Sequence, residues 1–337
     1  MGTGAPHGQL RVTIEAVASP SAAAGQSTAG PSTPEGARYD GELAVAIAAA
    51  RAAGEIQRER YERLERIVHK SEKDVVTEVD HLCEAAILAT IRSAFPDDAS
   101  LAEEGGASHP TAGQAAAGSQ RAPRRPRRTS ADPGASDTRA ASEVVEAPAP
   151  PPARLWVVDP LDGTINYANG IPLFCTSIAL VVHGRPVVGV ILDPLRDELF
   201  SGVAGRGAWL DGAPIVHPAK ERLIDCVVAM SLPGRGWALR GRRVRRAVRV
   251  SRVLGSAALE LTYVANGRFD AVILPGGLSL WDVAAAGTIA EAAGALVTDS
   301  AGGPWFDVGR ASRGTGILAS SPAHHETLRG MLRDDPA

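Results

Sequence analysis

The sequence predicts a layered α/β (α+β) domain, on three observations. Helix-like and strand-like segments are interspersed through most of the chain. Between Leu173 and Leu210 apolar runs follow one another across turns too short for parallel connections, which makes hairpins of them. From Phe269 onward strand and helix patterns alternate.

Residues 1–37, rich in Ala, Gly, Ser, Pro and Thr, read as a disordered N-terminal tail in which Leu10–Val17 is able to form a brief strand. A folded domain is expected over 38–334. Asp40 to about Arg66 reads as a helix whose larger apolar residues are Leu43, Ile47, Ile56, Tyr61 and Leu64. Val75 and Val76 read as a turn or short extended piece. Thr77 is the expected N-cap of a helix running to Phe95, with Asp80 in its first turn and Pro96 at its end. Leu101–Gly106, L-A-E-E-G-G, reads as a loop. Residues 107–153 lose all periodicity, contain R-R-P-R-R at Arg124–Arg128 and end in A-P-A-P-P-P; they are expected to form a disordered insertion.

Leu155–Val158 reads as a short buried strand that stops on Asp159, Pro160 and Asp162. Pro160 biases Asp159 towards an extended backbone, and Gly163 allows a conformation or close approach that a side chain would block. Thr164 and Asn166 open a short helix. Leu173–Val182 and Arg185–Leu192 pair as strands across His183-Gly184; Glu198–Val203 and Gly207–Leu210 continue the sheet to a turn at Asp211-Gly212. Cys226–Met230 is a strand. Arg235–Arg249, seven of whose residues are arginine, reads as a basic surface helix. Gly255–Asn266 is a helix, Phe269–Leu274 a strand, Pro275–Leu280 a glycine-rich loop and Trp281–Ala293 a helix of small residues. Ala295–Thr298 and Gly316–Ser320 are strands, and His324–Leu332 closes as a helix.

The 337 residues suffice for a large core, and the 45% apolar and 22% charged composition is that of a globular protein. A net charge of −3 excludes a globally basic protein, so a nucleic-acid role would need a local patch. Cys83, Cys175 and Cys226 are odd in number and lack metal-ligand spacing, which predicts buried thiols in a reduced compartment. No apolar run is long enough to span a bilayer and the N-terminus lacks the pattern of a signal peptide, so a cytoplasmic location is expected.

Four segments place carboxylates where elements begin or end: Asp80, Glu103 with Glu104, Asp159 with Asp162, and Asp282. Each alone is an ordinary cap, loop or turn. Together they make an oxygen-only ligand set without the His or Cys expected for zinc, which points to Mg2+ beside a phosphate.

These residues lie in motifs that resemble the inositol monophosphatase family of lithium-sensitive, magnesium-dependent phosphatases. W-V-V-D-P-L-D-G-T-I-N-Y (Trp156–Tyr167) and W-D-V-A-A-A-G-T-I-A-E-A-A-G-A (Trp281–Ala295) match its two signatures, with D-V-V-T-E-V-D and E-E-G upstream in the right order. The resemblance implies an α-β-α-β-α sandwich of the inositol monophosphatase and fructose-1,6-bisphosphatase type, commonly a homodimer. It implies two or three Mg2+ ions held by Glu103, Asp159, the Leu161 carbonyl, Asp162 and Asp282. Glu103 and the Thr164 hydroxyl are implied to position an attacking water, with Asp80 supporting Thr164. Gly163 and Thr164 offer N–H groups to phosphate, Asp282 meets the alcohol, and Gly255, Ser256 and Ala257 border the substrate. The implied reaction is hydrolysis of a small phosphorylated alcohol, with inositol monophosphate first among substrates.

Three departures matter. Ala102 stands where the family usually has glycine. The stretch from Glu103 to Asp159 is longer than usual. Pro275, seven residues before Asp282, occupies the place of a glutamate that contacts ring hydroxyls in inositol-specific members. Histidinol phosphate, fructose 1,6-bisphosphate and a 3′-phosphonucleotide therefore stand as alternative substrates. The non-enzymatic alternative is a nucleic-acid-associated regulatory protein acting through Arg124–Arg128 and the Arg235–Arg249 face.

Overall fold

The computed structural model describes residues 38–63, 67–71, 74–108, 152–232, 237–310 and 314–333. The expected tail strand, the R-R-P-R-R run and the middle of the insertion lie outside them. The elements follow in chain order: α1 (Asp40–Arg60), β1 (Ile67–Ser71), β2 (Asp74–Thr77), α2 (Glu78–Ala94), β3 (Ala99–Ala102), β4 (Gly106–Ser108), β5 (Arg154–Asp162) and α3 (Thr164–Ala168). Next come β6 (Cys175–Val182), β7 (Arg185–Asp193), β8 (Glu198–Val203), β9 (Gly207–Leu210), β10 (Ala213–Ile215), β11 (Val227–Met230), α4 (Ala238–Ala247), β12 (Val250–Arg252) and α5 (Ala257–Ala265). The chain finishes with β13 (Ala271–Leu278), α6 (Leu280–Ala292), β14 (Leu296–Thr298), β15 (Thr315–Ser320) and α7 (Pro322–Leu332).

Two large sheets form among the described residues. The first has the order β10-β9-β8-β7-β6-β5-β3-β4 and is antiparallel except where β3 runs parallel to β5. The second has the order β12-β11-β13-β15-β14. Alternation along the strands assigns each face. Trp156 and Val158 pack with Ala46, Ala50 and Ala53 of α1 and Ile87 and Ile91 of α2, whereas Leu155 and Val157 turn to the other side. That side is filled by α5 and α6, which also meet Val272, Leu274, Ile317 and Ala319 of the second sheet. Ile273 and Leu318 face the opposite way, towards Val244 of α4 and Leu328 of α7. The layers are therefore α-β-α-β-α.

The middle of helix α6 is buried around its whole circumference because it lies between two sheets. Leu280 and every residue from Val283 to Ala290 are buried. It approaches the first sheet over a seat of two facing glycines, Gly189 of β7 and Gly202 of β8, which are cross-strand partners. A Cβ on Gly189 would lie 2.4 Å from the Ala285 carbonyl oxygen, and one on Gly202 would lie 2.8 Å from Ile289 Cα.

Both expected hairpin turns are present. His183 and Gly184 have φ of 48° and 75°, and Asp211 and Gly212 have 51° and 78°, the left-handed pairs that suit a two-residue β-hairpin. The cysteines are buried free thiols. No helix among the described residues is long and apolar enough to cross a membrane.

Several boundaries differ from expectation. Helix α1 stops at Arg60 rather than Arg66, and Glu62 adopts φ 59°. Strand β5 does not end at Val158. Its pairing with β6 passes from Asp159↔Ser177 to Asp162↔Cys175 across a bulge, where Pro160 has no N–H to give the ladder. Of the expected Pro275–Leu280 loop, Pro275–Leu278 are instead the irregular end of β13, whose pairing with β15 lapses between Leu274 and Leu278 around another proline, and Leu280 already opens α6. The basic helix is shorter, Ala238–Ala247, and the chain re-enters the sheet at Val250. The insertion is narrower than 107–153: Ala107 and Ser108 pair with Leu101 and Ser100, and the Ala153 carbonyl accepts the His183 N–H.

Candidate active site

Three aspartates from three elements converge. Asp159 comes from the bulged end of β5, Asp162 from its last position and Asp282 from the first turn of α6; one carboxylate oxygen of each lies within 4.8 Å of the others. Each is fixed by backbone. Asp159 Oδ1 accepts the Leu161 N–H at 3.0 Å. Asp162 Oδ2 accepts the Ala258 N–H at 2.7 Å and the Ser256 hydroxyl at 2.5 Å, so the N-terminus of α5 holds it. Asp282 Oδ2 accepts the Ser279 N–H at 2.7 Å in a capping box.

Glu103 lies at the end of β3, its N–H donated to the Val158 carbonyl at 3.2 Å. It stands outside the three-aspartate group but close enough to act on Asp159. Burial first, then the charges of Glu103, Asp162 and Asp282, hold the Asp159 carboxyl well above the usual carboxylate range. Burial also raises Asp162, opposed by its hydrogen bonds from Ser256, Ala258, Ala257 and Gly163. No cationic side chain is among the leading influences on either aspartate. Clustered like charges with oxygen donors only are the chemistry of a site for a hard divalent cation.

Asp80 and Thr164, 84 positions apart, meet beside this group. Asp80 is fully buried; its Oδ2 accepts the Thr77 N–H at 2.8 Å in the capping box of α2, and its Oδ1 lies 3.1 Å from Thr164 Oγ1. The Leu161 carbonyl lies 2.9 Å from the same hydroxyl, whose single proton serves one of the two. Gly163 turns the chain between them with φ 93°, and a Cβ there would sit 2.9 Å from the Leu173 carbonyl oxygen. A cleft of about 320 Å³ opens alongside, bordered by Asp162, Asp282, Gly255, Ser256 and Ala257. Every sequence-predicted site residue thus lies in or beside one neighbourhood.

A sequence profile described as the inositol monophosphatase family matches residues 39–335. The chain belongs to that family. It is 36% identical to Inositol monophosphatase 2 of Solanum lycopersicum over 265 residues, covering 77% of this chain and 87% of the relative. It is 34% identical to Nus factor SuhB of Pseudomonas aeruginosa over 274 residues, covering 78% and 87%. The crystal structure of the extragenic suppressor protein suhB from Bartonella henselae superposes with a TM-score of 0.71 at 29% identity, over 88% of this chain and all of that one.

Two residues beside the cleft make contacts that are not legible in the sequence. Ser256 borders the cleft; its hydroxyl is donated to Asp162, and its oxygen also caps α5 at the Leu259 N–H. Glu260 was not singled out, although a lone carboxylate inside an apolar helical run marks a buried charge with a task. It is 2% exposed and accepts the N–H groups of Leu254 and Gly255, bracing the turn that leads into the cleft.

Burial pushes the Glu260 carboxyl up to about 7 from an ordinary 4.5. The folded state therefore holds a proton that the unfolded chain releases, and stability falls as pH rises from 4.5 through about 7. A shift of that size is worth on the order of 3 kcal/mol. Glu260→Gln, which keeps an oxygen acceptor and removes the charge, is expected to flatten this part of the curve. Thermal midpoints in EDTA at pH 5 and pH 8 check it; equal pH slopes in both proteins would contradict it.

Proposed function

We propose that this chain is a magnesium-dependent phosphomonoesterase of small phosphorylated alcohols, with inositol monophosphate as its reference substrate. The reading rests on the convergence of Asp159, Asp162 and Asp282 with Glu103 beside them, and it is supported by relatives named inositol monophosphatase. Glu103, Asp159, the Leu161 carbonyl, Asp162 and Asp282 would hold two or three ions. When bound, these would lower the pKa of a water and neutralise charge developing on the phosphoryl oxygens.

The chain's own contribution is placement. Asp80 fixes the rotor of Thr164, so that this hydroxyl and Glu103 orient the attacking water. The N–H groups of Gly163 and Thr164 receive the phosphate. The α5 N-terminus keeps Asp162 from swinging away, and α6 carries Asp282 to the alcohol side. Gly255 and Ala257 border the alcohol, with Ser256 acting through Asp162. A cytoplasmic, lithium-sensitive homodimer completes the reading.

The test is phosphate release from inositol 1-phosphate, histidinol phosphate, fructose 1,6-bisphosphate and a 3′-phosphonucleotide, with Mg2+, with EDTA and with added lithium. Release that needs Mg2+ and falls with lithium is expected; no release from any ester would overturn the proposal. A second reading, association with nucleic acid, is favoured by the exposed Arg242, Arg245 and Arg246 of α4. It predicts binding that weakens steeply with salt and persists in Asp159→Asn.

A further inference from the structure

Among the described lining residues, few polar side chains besides Asp162 and Asp282 are uncommitted. Val253, Leu274, Leu278 and Ala257 line it, and Val253 is 64% exposed despite being apolar. Among the described lining residues, the other polar groups are Ser231, Ser256 and Glu260. Two of them are committed: Ser256 to Asp162 and the α5 cap, Glu260 to two backbone N–H groups. Gly276 and Gly277 complete the lining where the pairing of β13 with β15 lapses, and a Cβ on either would meet nothing within 4 Å. A side chain at either position would enter open space rather than displace a neighbouring segment.

We propose that this cleft selects phosphomonoesters whose alcohol carries a flat, apolar body over those of polyhydroxylated rings. The inference rests on the phosphatase reading and narrows its substrate class. Each hydroxyl of a cyclitol gives up water on entering and needs a protein partner, and an unpaired one weakens binding. A planar ring needs none; it gains contact with Val253, Leu274 and Leu278 and lies against the bare backbone at Gly276 and Gly277.

Steady-state phosphate release with Mg2+ tests this on 2-phenylethyl phosphate, myo-inositol 1-phosphate and glycerol 1-phosphate, the last a small common reference. The wild-type enzyme is expected to show kcat/KM at least tenfold higher for the phenylethyl ester than for the inositol ester, mainly through KM. Gly276→Leu is expected to raise KM for the phenylethyl ester at least tenfold relative to that for glycerol 1-phosphate. Residue 276 has no positive φ and open space at its Cβ, so a melting curve should report a folded variant. A wild-type preference for the inositol ester, or a Gly276→Leu effect equal on all esters, would overturn the inference and leave the phosphatase reading standing. No Mg2+-dependent release from any ester would overturn both.

Discussion

Asp159→Asn is expected to lower Mg2+-dependent phosphate release by roughly a hundredfold to a thousandfold, while the metal-free protein becomes no less stable. Asparagine has the same shape and keeps an oxygen for the Leu161 N–H. It removes the charge on which Glu103, Asp162 and Asp282 all bear. Because burial and those neighbours raise the Asp159 carboxyl, the folded state holds its proton more tightly than the unfolded chain does. Metal-free stability therefore falls as pH rises through that raised range, and asparagine removes this share of the fall. Mg2+ acts the other way by binding the folded state; at a hundred times its dissociation constant it adds about 2.7 kcal/mol. The wild-type protein should gain more from Mg2+ at pH 8 than at pH 5.5, because protons compete with the ion. Melting curves of both proteins, with Mg2+ and with EDTA, check this. A variant that kept both the Mg2+-induced shift and the turnover would remove Asp159 from the site.

Gly189→Val is expected to unfold the protein or lower its stability by about 3 kcal/mol or more. The Cβ of any residue at 189 would fall 2.4 Å from the Ala285 carbonyl oxygen and 3.0 Å from its Cα, both rigid helix backbone. No rotamer relieves that overlap, so α6 must lift from the sheet. Its other face is also packed, against the second sheet, and both interfaces suffer together. Asp282 rides on this helix, so a milder Gly202→Ala variant that still folds should bind Mg2+ more weakly. Urea midpoints and Mg2+ titration read the two effects. A wild-type midpoint for Gly189→Val would show that α6 is not seated as described.

The parts of this fold that were legible in the sequence are those whose signals are local. His183-Gly184 and Asp211-Gly212 announce their turns because few residue pairs accept two left-handed conformations in succession. The run of small residues in α6 announces a helix that neighbours can approach closely. Strands such as β4, β10 and β12, three residues each, escaped because they exist through their partners' hydrogen bonds, not their own composition. The ends of β5 and β13 were misplaced because Pro160 and the glycine-rich Pro275–Leu280 run suggested a stop, while the sheet tolerates them as a bulge or an irregular end. At the site, the acidic residues were legible as types at element ends and, through the family resemblance, as a ligand set. Their anchoring was not. Nothing local to Ser256 says that its hydroxyl is donated to a carboxylate 94 positions away.

The register of the first sheet bears on how freely this enzyme's length can vary. Ser108 pairs with Ser100, and Ser100 with Trp156, so β4 ends level with the early part of β5, two strand spacings or about 10 Å away. Glu103 follows Ala102, which is level with Val158 at the other end of the same strands. A few residues would bridge the gap that 109–151 spans, and they would do so at the margin remote from the acidic cluster. The stretch would thus serve as a permissive port, where length could be added or trimmed or a module grafted while the placement of the acidic residues stays under separate control.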